Sequence, residues 1–362
     1  MRLGTCIALE LAALAGAVGG VWFVASRGAD LASSYISHHE AAAATAIDPP
    51  AAAVIPLERS QLVARRAPDT VFGAPDSELL TPLAATPVTR VKINRGGSSL
   101  SLRLDFANGA RASFKPEQTW PQSDPRREIA AYRIDRLLGI GRVPPSKPIK
   151  FTVAEVLAAT DPSLRTYMTN RLADEARAKN GELRGMVYWW IPEIRDARLD
   201  GLELYEHDGM QKLIDYLQIG AVVPEKDKTL VEQLATCIVF DVIIDNSDRW
   251  SGSNTKISPD YSTLYFMDNT LSFSKFTHGH ETNLRPLLRM QKFSKSLVKK
   301  LRELTLAQVT AALSLRPADD VGLAPLLTDE EIRAIIARRD HVLEYVAGLI
   351  KQFGEDAVLS LP

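Results

Sequence analysis

At 362 residues, with 43 Lys and Arg against 44 Asp and Glu, the chain carries a formal net charge of −1. Hydrophobic content of 46% and charged content of 24% fit one large globular domain or two small ones, and exclude a disordered chain, a coiled coil and a collagen-like fibre. No basic excess points to a nucleic-acid partner, and two cysteines, Cys6 and Cys237, exclude a disulfide framework or a Cys-rich metal centre.

Residues 4–26 contain no Lys or Arg and a single acid, Glu10. About 20 apolar residues cross a bilayer, so this run is long enough to serve as a transmembrane anchor. A cleaved signal segment and a buried core helix are the competing readings. Arg2 and Arg27 flank the run on opposite sides, which leaves the orientation open. From Ala41 to Ala53 the sequence is largely Ala and Pro, and Pro56, Pro68, Pro75 and Pro82 continue the pattern. The expected organisation is therefore an anchor or signal over 1–27, a spacer over 28–86 and a folded domain over 87–356.

Val91–Asn94 and Ser99–Phe106 alternate apolar and polar residues as half-buried strands do, with the glycine loop Arg95-Gly96-Gly97-Ser98 between them. A turn at Ala107-Asn108-Gly109 leads into a third strand, Ala110–Lys115. Asp124-Pro125 reads as an N-cap and first helical residue, opening a helix over Arg126–Leu138 that Gly139 stops. Further helices are expected over Met210–Ile219 and over Lys228–Ile244, the latter from a capping box of Thr229 and Glu232. Two short strands, Thr255–Ser258 and Thr263–Met267, precede helices over Ser294–Leu304, Leu306–Leu313 and Asp329–Gln352. Strands followed by helices predict a two-lobed α+β architecture.

Five side chains then stand in an informative order. Lys115 ends the third strand, Glu128 opens the helix after it, and Asp248 lies in a polar loop behind a buried helix. Asn254 follows six residues on, and Asp268 terminates a short strand. Phosphoryl transfer needs such parts: a lysine held by a glutamate to steady phosphates, acidic and amide oxygens for a divalent metal, and a carboxylate for the acceptor hydroxyl. A glycine loop between strands, here Gly96, Gly97 and Ser98, can turn backbone N–H groups toward phosphate.

The run from Arg95-Gly96-Gly97-Ser98 through Ser113-Phe114-Lys115-Pro116, Arg127-Glu128-Ile129-Ala130 and Arg142-Val143-Pro144-Pro145 resembles the "family with sequence similarity 20" secretory-pathway kinases, which include the Golgi casein kinase and have four-jointed-like relatives. Asn246-Ser247-Asp248-Arg249 and Phe266-Met267-Asp268-Asn269 are similar to that family's catalytic and metal-binding loops. The resemblance spans about residues 88–300. It implies an atypical bilobal protein-kinase-like fold and an ATP-dependent kinase using Mn2+ or Mg2+. Lys115 would contact nucleotide phosphates, and Glu128 would pair with it and help hold metal. Asp248 would be the catalytic base, Asp268 a metal ligand and Asn254 a further one, while Gly96, Gly97 and Ser98 would cover the phosphates. Gly185–Ile191 is the candidate segment beside adenine, with a core strand as its alternative.

The expected reaction moves the γ-phosphoryl group of ATP to a hydroxyl, first of all a protein Ser or Thr. A sugar, lipid or other small alcohol is the alternative acceptor, and an inactive membrane-tethered nucleotide-binding scaffold is the second alternative. The C-lobe lacks the paired cysteines of the secreted animal enzymes, which argues against a disulfide-stabilised setting. His278 and His280 in the loop Phe273–Asn283 are a minor metal candidate, and the basic run Lys292–Arg302 is expected to be one wet helix face.

Overall fold

The computed structural model describes residues 70–94, 99–252 and 254–362. The anchor over 1–27, most of the spacer and the loop bearing Gly96, Gly97 and Ser98 lie outside the described residues. Among the described residues no helix is long and apolar enough to cross a membrane.

A five-stranded antiparallel sheet forms the first lobe, in the order β1-β2-β3-β5-β4. It comprises β1 (Val88–Ile93), β2 (Leu102–Phe106), β3 (Arg111–Pro116), β4 (Ser146–Thr152) and β5 (Glu182–Trp189). Leu102, Leu104 and Phe106 alternate inward along β2 and meet Phe114, Phe151, Leu183 and Val187 in one apolar cluster. Between β3 and β4 runs α2 (Pro125–Leu138), capped as the sequence suggests: Asp124 Oδ1 accepts from Arg126 N at 3.0 Å, and Gly139 closes the helix in the left-handed region at φ 72. Ile129 of α2 packs against Met186 of β5, while Ala130, Ile134 and Leu138 join the core of the second lobe, so this helix belongs to both.

The second lobe is built around α6 (Glu225–Ile244), whose later turns are buried on almost every side, as a central core helix requires. Around it lie the short strands β6 (Arg195–Asp196), β7 (Arg198–Leu199) and β8 (Leu202–Glu203), then α5 (His207–Tyr216), β9 (Lys256–Ile257), β10 (Leu264–Tyr265), α7 (Glu281–Leu287), α8 (Lys295–Glu303), α9 (Leu306–Leu313) and the long α10 (Asp329–Phe353). The capping box at α10, Thr328 with Glu331, forms as expected. Thr229 and Glu232 do not cap α6. That helix starts three residues earlier than Lys228, after Pro224, with Glu225 and Asp227 in its first turn against the helix dipole. Helix α5 likewise begins at His207, three residues ahead of Met210.

Three differences bear on the site. Residues 70–86 do not behave as spacer: α1 (Asp76–Leu80) carries Asp76, which binds Arg136 at 2.7 Å and Tyr132 Oη at 2.9 Å. Phe72 stacks on Tyr265 at 5.9 Å between ring centres, tying this segment to the second lobe. Strand β4 and the helices α3 (Val153–Ala158) and α4 (Arg165–Glu175) fill a stretch in which no element was expected. Finally, most of Gly185–Ile191 is central strand, paired with both β3 and β4, so the core-strand alternative holds there.

Gly185 meets β3 at closest approach: a Cβ there would stand 2.2 Å from the Lys115 carbonyl oxygen and 2.7 Å from Pro116 Cα. Both contacts are backbone, so the sheet itself must move to admit a methyl group. Gly185→Ala is expected to cost about 1–3 kcal/mol in urea unfolding and to weaken nucleotide binding through displacement of Lys115. An unchanged midpoint would contradict this contact.

Candidate active site

Lys115 leaves β3 toward α2, where Glu128 waits in the first helical turn. Both side chains are buried, and Lys115 Nζ donates to Glu128 Oε1 at 2.7 Å. The same ammonium donates to Asp268 Oδ1 at 2.8 Å, so one cation bridges carboxylates from two lobes. Burial works to lower the Lys115 pKa, but Asp268 and Glu128 outweigh it and hold the ammonium well above its ordinary value. In return Lys115 holds the Asp268 carboxyl below the usual carboxylate range, against the opposing effect of burial.

Asp268 follows β10 by way of the buried Phe266 and sits in the left-handed region at φ 55. Such backbone is sparsely populated for a side chain of this kind and marks a position fixed by its surroundings. Those surroundings are a polar lattice. Asn246 Nδ2 donates to the Asp268 carbonyl at 3.1 Å and to Asn269 Oδ1 at 3.2 Å. Asn269 Nδ2 in turn donates to Glu128 Oε2 at 3.2 Å, and Arg249 Nη2 to Asn269 Oδ1 at 2.8 Å. Arg249 is fully buried against Asp241 at 3.1 Å and also donates to the carbonyls of Met267 and Asn254. The guanidinium thus locks the loop after α6 to the strand end that carries Asp268.

Asp248 lies two residues into that loop from Asn246, whose Oδ1 accepts the Asp248 amide at 3.2 Å. Its carboxylate is partly exposed and is held from both sides: Ser251 Oγ donates to Oδ1, and Asn254 Nδ2 donates to Oδ2 at 2.9 Å. Asn254 therefore joins the site by orienting Asp248, and among the described residues its own Oδ1 has no hydrogen-bond partner. Lys115, Glu128 and Asp268 are brought together directly; Asp248 and Asn254 join them through Asn246 and Arg249.

The loop after Asp268 is pinned by a residue that the sequence did not single out. Asp245 ends α6 in the left-handed region at φ 56 and is wholly buried. It accepts from His280 N and Nδ1, both at 2.7 Å, from Asn283 Nδ2 at 3.0 Å and from Ser274 Oγ. Gly279 passes so close that a Cβ would lie 3.0 Å from Asp245 Oδ1. His280 is thus engaged by Asp245, and His278 stacks on His341 at 4.4 Å. Among the described residues no group of three or more His, Cys, Asp or Glu could hold a metal, so the paired histidines form no such centre. In the basic run, Lys292 donates to the Tyr216 and Ala221 carbonyls, whereas α8 exposes its lysines and buries Leu297, Val298 and Leu301, as a one-sided wet face does.

The donors present suit a divalent cation of the Mg2+ or Mn2+ type. Two hard carboxylates line a cleft, Asp268 is 46% exposed there, and among the described residues its Oδ2 has no hydrogen-bond partner. Val143, Pro144, Ser146, Tyr188 and Met267 complete the wall beside Glu128 and Asp268. Ser146 Oγ is buried in that wall without a hydrogen-bond partner among the described residues, a further polar group open to a ligand. Asn246, Asn269, Asp241, Asp245 and Ser146 were not anticipated. The first two stand inside the quoted motifs without a role assigned to them, and an acid deep in an apolar helix, as at Asp241, signals a buried partner.

This is the architecture of a bilobal kinase-like fold, with a lysine–glutamate pair between sheet and helix and an aspartate at the lobe junction. A family model, Golgi casein kinase, C-terminal, Fam20, matches residues 217–358. The chain is 24% identical to glycosaminoglycan xylosylkinase from Homo sapiens over 314 residues, 76% of each. It is also 24% identical to the extracellular serine/threonine protein kinase FAM20C from Homo sapiens over 324 residues, 78% of this chain and 55% of the relative. The crystal structure of the Golgi casein kinase with Mn/ADP bound superposes with a TM-score of 0.62 at 18% identity, covering 78% of each chain. The chain is thus similar to Fam20 kinases over about three quarters of its length, with the family model itself matched over residues 217–358.

Two outcomes follow for the scaffold of the site. Arg249→Met leaves Asp241 charged and unpaired in the core and is expected to cost about 3–5 kcal/mol in chemical unfolding. Asp241→Leu added to it should recover part of that loss; a single-variant loss below about 1 kcal/mol would contradict the bracing role. Asp135, at the end of α2, is raised from 3.8 to about 6, because burial outweighs Arg136 and the amides of Arg142 and Val143. A carboxyl with a raised folded pKa binds more protons in the native state, so stability should fall as pH rises between about 4 and 6. Asp135→Asn should flatten that part of a pH–stability profile, and an unaltered slope would count against the assignment.

Proposed function

We propose that the chain is a divalent-metal-dependent kinase that moves the γ-phosphoryl group of ATP to a hydroxyl. The observation carrying this is the Lys115 ammonium held between Glu128 and Asp268, with the propped carboxylate of Asp248 on the adjoining loop. Lys115 binds nucleotide phosphates, and Glu128 keeps it at the lobe junction. Asp248 takes the proton of the acceptor hydroxyl, its carboxylate fixed by Ser251 and Asn254 so that little reorganisation is needed. Asp268 and Glu128, with Asn254 Oδ1 as a further donor, would hold a Mn2+ or Mg2+ ion, which supplies charge neutralisation at the phosphates when bound. Gly96, Gly97 and Ser98 are proposed to cover those phosphates from the first lobe. Residues 1–27 would act as anchor or signal, placing the domain in the membrane or secretory setting of its relatives.

A protein Ser or Thr is the first acceptor, by analogy with the extracellular serine/threonine kinase. A sugar hydroxyl is the second reading, favoured by the fuller match to the xylosylkinase, 76% of whose length is covered against 55%. All chemically competent positions are filled, which disfavours an inactive scaffold.

Transfer from γ-labelled ATP with Mn2+ to a casein-like protein, beside a pool of glycans and small alcohols, tests the proposal. Label on protein supports the first acceptor, and label confined to glycans supports the second. Asp248→Ala should lower turnover about a hundredfold or more while sparing nucleotide affinity. Asp268→Ala should abolish metal-dependent nucleotide binding. No transfer to any acceptor by a protein that still binds nucleotide would overturn the proposal in favour of the scaffold.

A further inference from the structure

Against α2 and β4, meeting the active-site wall at Ser146, lies a cavity of about 970 Å3, at the upper end of the range for small-molecule sites. Its walls come from the segment after α1, from α2, from β4 and from the loop after α9. Five cations line it, Arg133, Arg136, Lys147, Lys150 and Arg316, against one carboxylate, Asp319. Three of these have acid partners: Arg136 on Asp76, Lys150 on Glu182 and Arg316 on Asp319.

Among the described residues Arg133 and Lys147 have none. Arg133 spends only Nη1, on the carbonyls of Ala312 at 2.9 Å and Ser314 at 2.7 Å. Lys147 donates to the carbonyls of Leu80 at 2.7 Å and Leu83 at 2.6 Å. Neutral oxygens satisfy hydrogen bonds without cancelling charge, and burial pulls both cations below their ordinary pKa values, with Asp319 offsetting it only in part. Between the charges run Leu80, Leu83, Leu137, Ile149 and Val321, an apolar surface with cations at its edge.

We infer that this cavity is a binding site for an organic phosphate monoester, the phosphate lying among Arg133, Lys147 and Arg316 and the apolar body against Leu83, Leu137 and Ile149. A phosphate dianion matches the excess positive charge and accepts from the unused Arg133 nitrogens in charge-assisted hydrogen bonds. Held there, it ties α2 to β4 and to the loop after α9. It would thereby fix the helix that carries Glu128.

Calorimetric titration of the full chain tests this, with phenyl phosphate, inorganic phosphate and the soluble headgroup probe dihexanoyl phosphatidic acid. Saturable binding of phenyl phosphate, tighter than inorganic phosphate and weakened about tenfold or more by Arg133→Gln, is expected. Arg316→Glu, at an 83% exposed side chain that bears on no core contact, should weaken it similarly and covers the case in which Arg133→Gln fails to fold. Tighter binding of the phosphatidic acid, with the same sensitivity, assigns the ligand to a lipid source, and preference for phenyl phosphate assigns it to a soluble one. Absence of saturable binding by every probe, or affinity unchanged in Arg316→Glu, overturns the inference.

Discussion

A single ammonium group, Lys115 Nζ, stands between the carboxylates of Glu128 and Asp268, and the rest of the site depends on that arrangement. An isolated buried charge of this kind would be expelled or neutralised. Two opposite charges and a lattice of amides make it tenable, and they come from different parts of the chain. Lys115 belongs to the sheet, Glu128 to the helix shared by both lobes and Asp268 to the second lobe. The bridge therefore holds only when sheet, helix and strand end are in register.

The support behind it follows the same logic of buried charge with full partnership. Arg249 faces Asp241 inside the core and spends its remaining donors on Asn269 and on the carbonyls of Met267 and Asn254. Asn269 passes that restraint to Glu128, and Asn246 passes it to the Asp268 backbone. Asp245 does comparable service for the loop bearing His280. The candidate catalytic groups on loops are thus fixed by side chains that lie on or beside a rigid helix, α6, rather than by the loops themselves.

Much of this was legible in the sequence where local rules decide the outcome. The Asp124-Pro125 opening and Gly139 close of α2, the turn at Asn108-Gly109 and the Thr328–Glu331 box all form as their chemistry dictates. Lys115, Glu128 and Asp268 could be singled out by spacing and residue type, and the structure brings their side chains into contact. What failed to show depends on distant partners. The start of α6 was misplaced because Thr229 and Glu232 imitate a capping box inside a helix already begun at Glu225. Strand β4 lacks clean alternation, since Pro148 interrupts it and α2 covers part of one face. The packing of Phe72 and Asp76 was hidden in a proline-rich stretch, because nothing local announces Arg136 or Tyr265 as their partners.

The claim that Lys115, Glu128 and Asp268 act as one unit is tested most directly by a double-mutant cycle on Mn2+-dependent ADP binding. Lys115→Met, Glu128→Gln and the two combined would be compared by calorimetry. Removing either partner of a working pair should cost nearly as much as removing both, with a coupling of about 1 kcal/mol or more. Fully additive losses, or ADP affinity unchanged in Lys115→Met, would contradict the account.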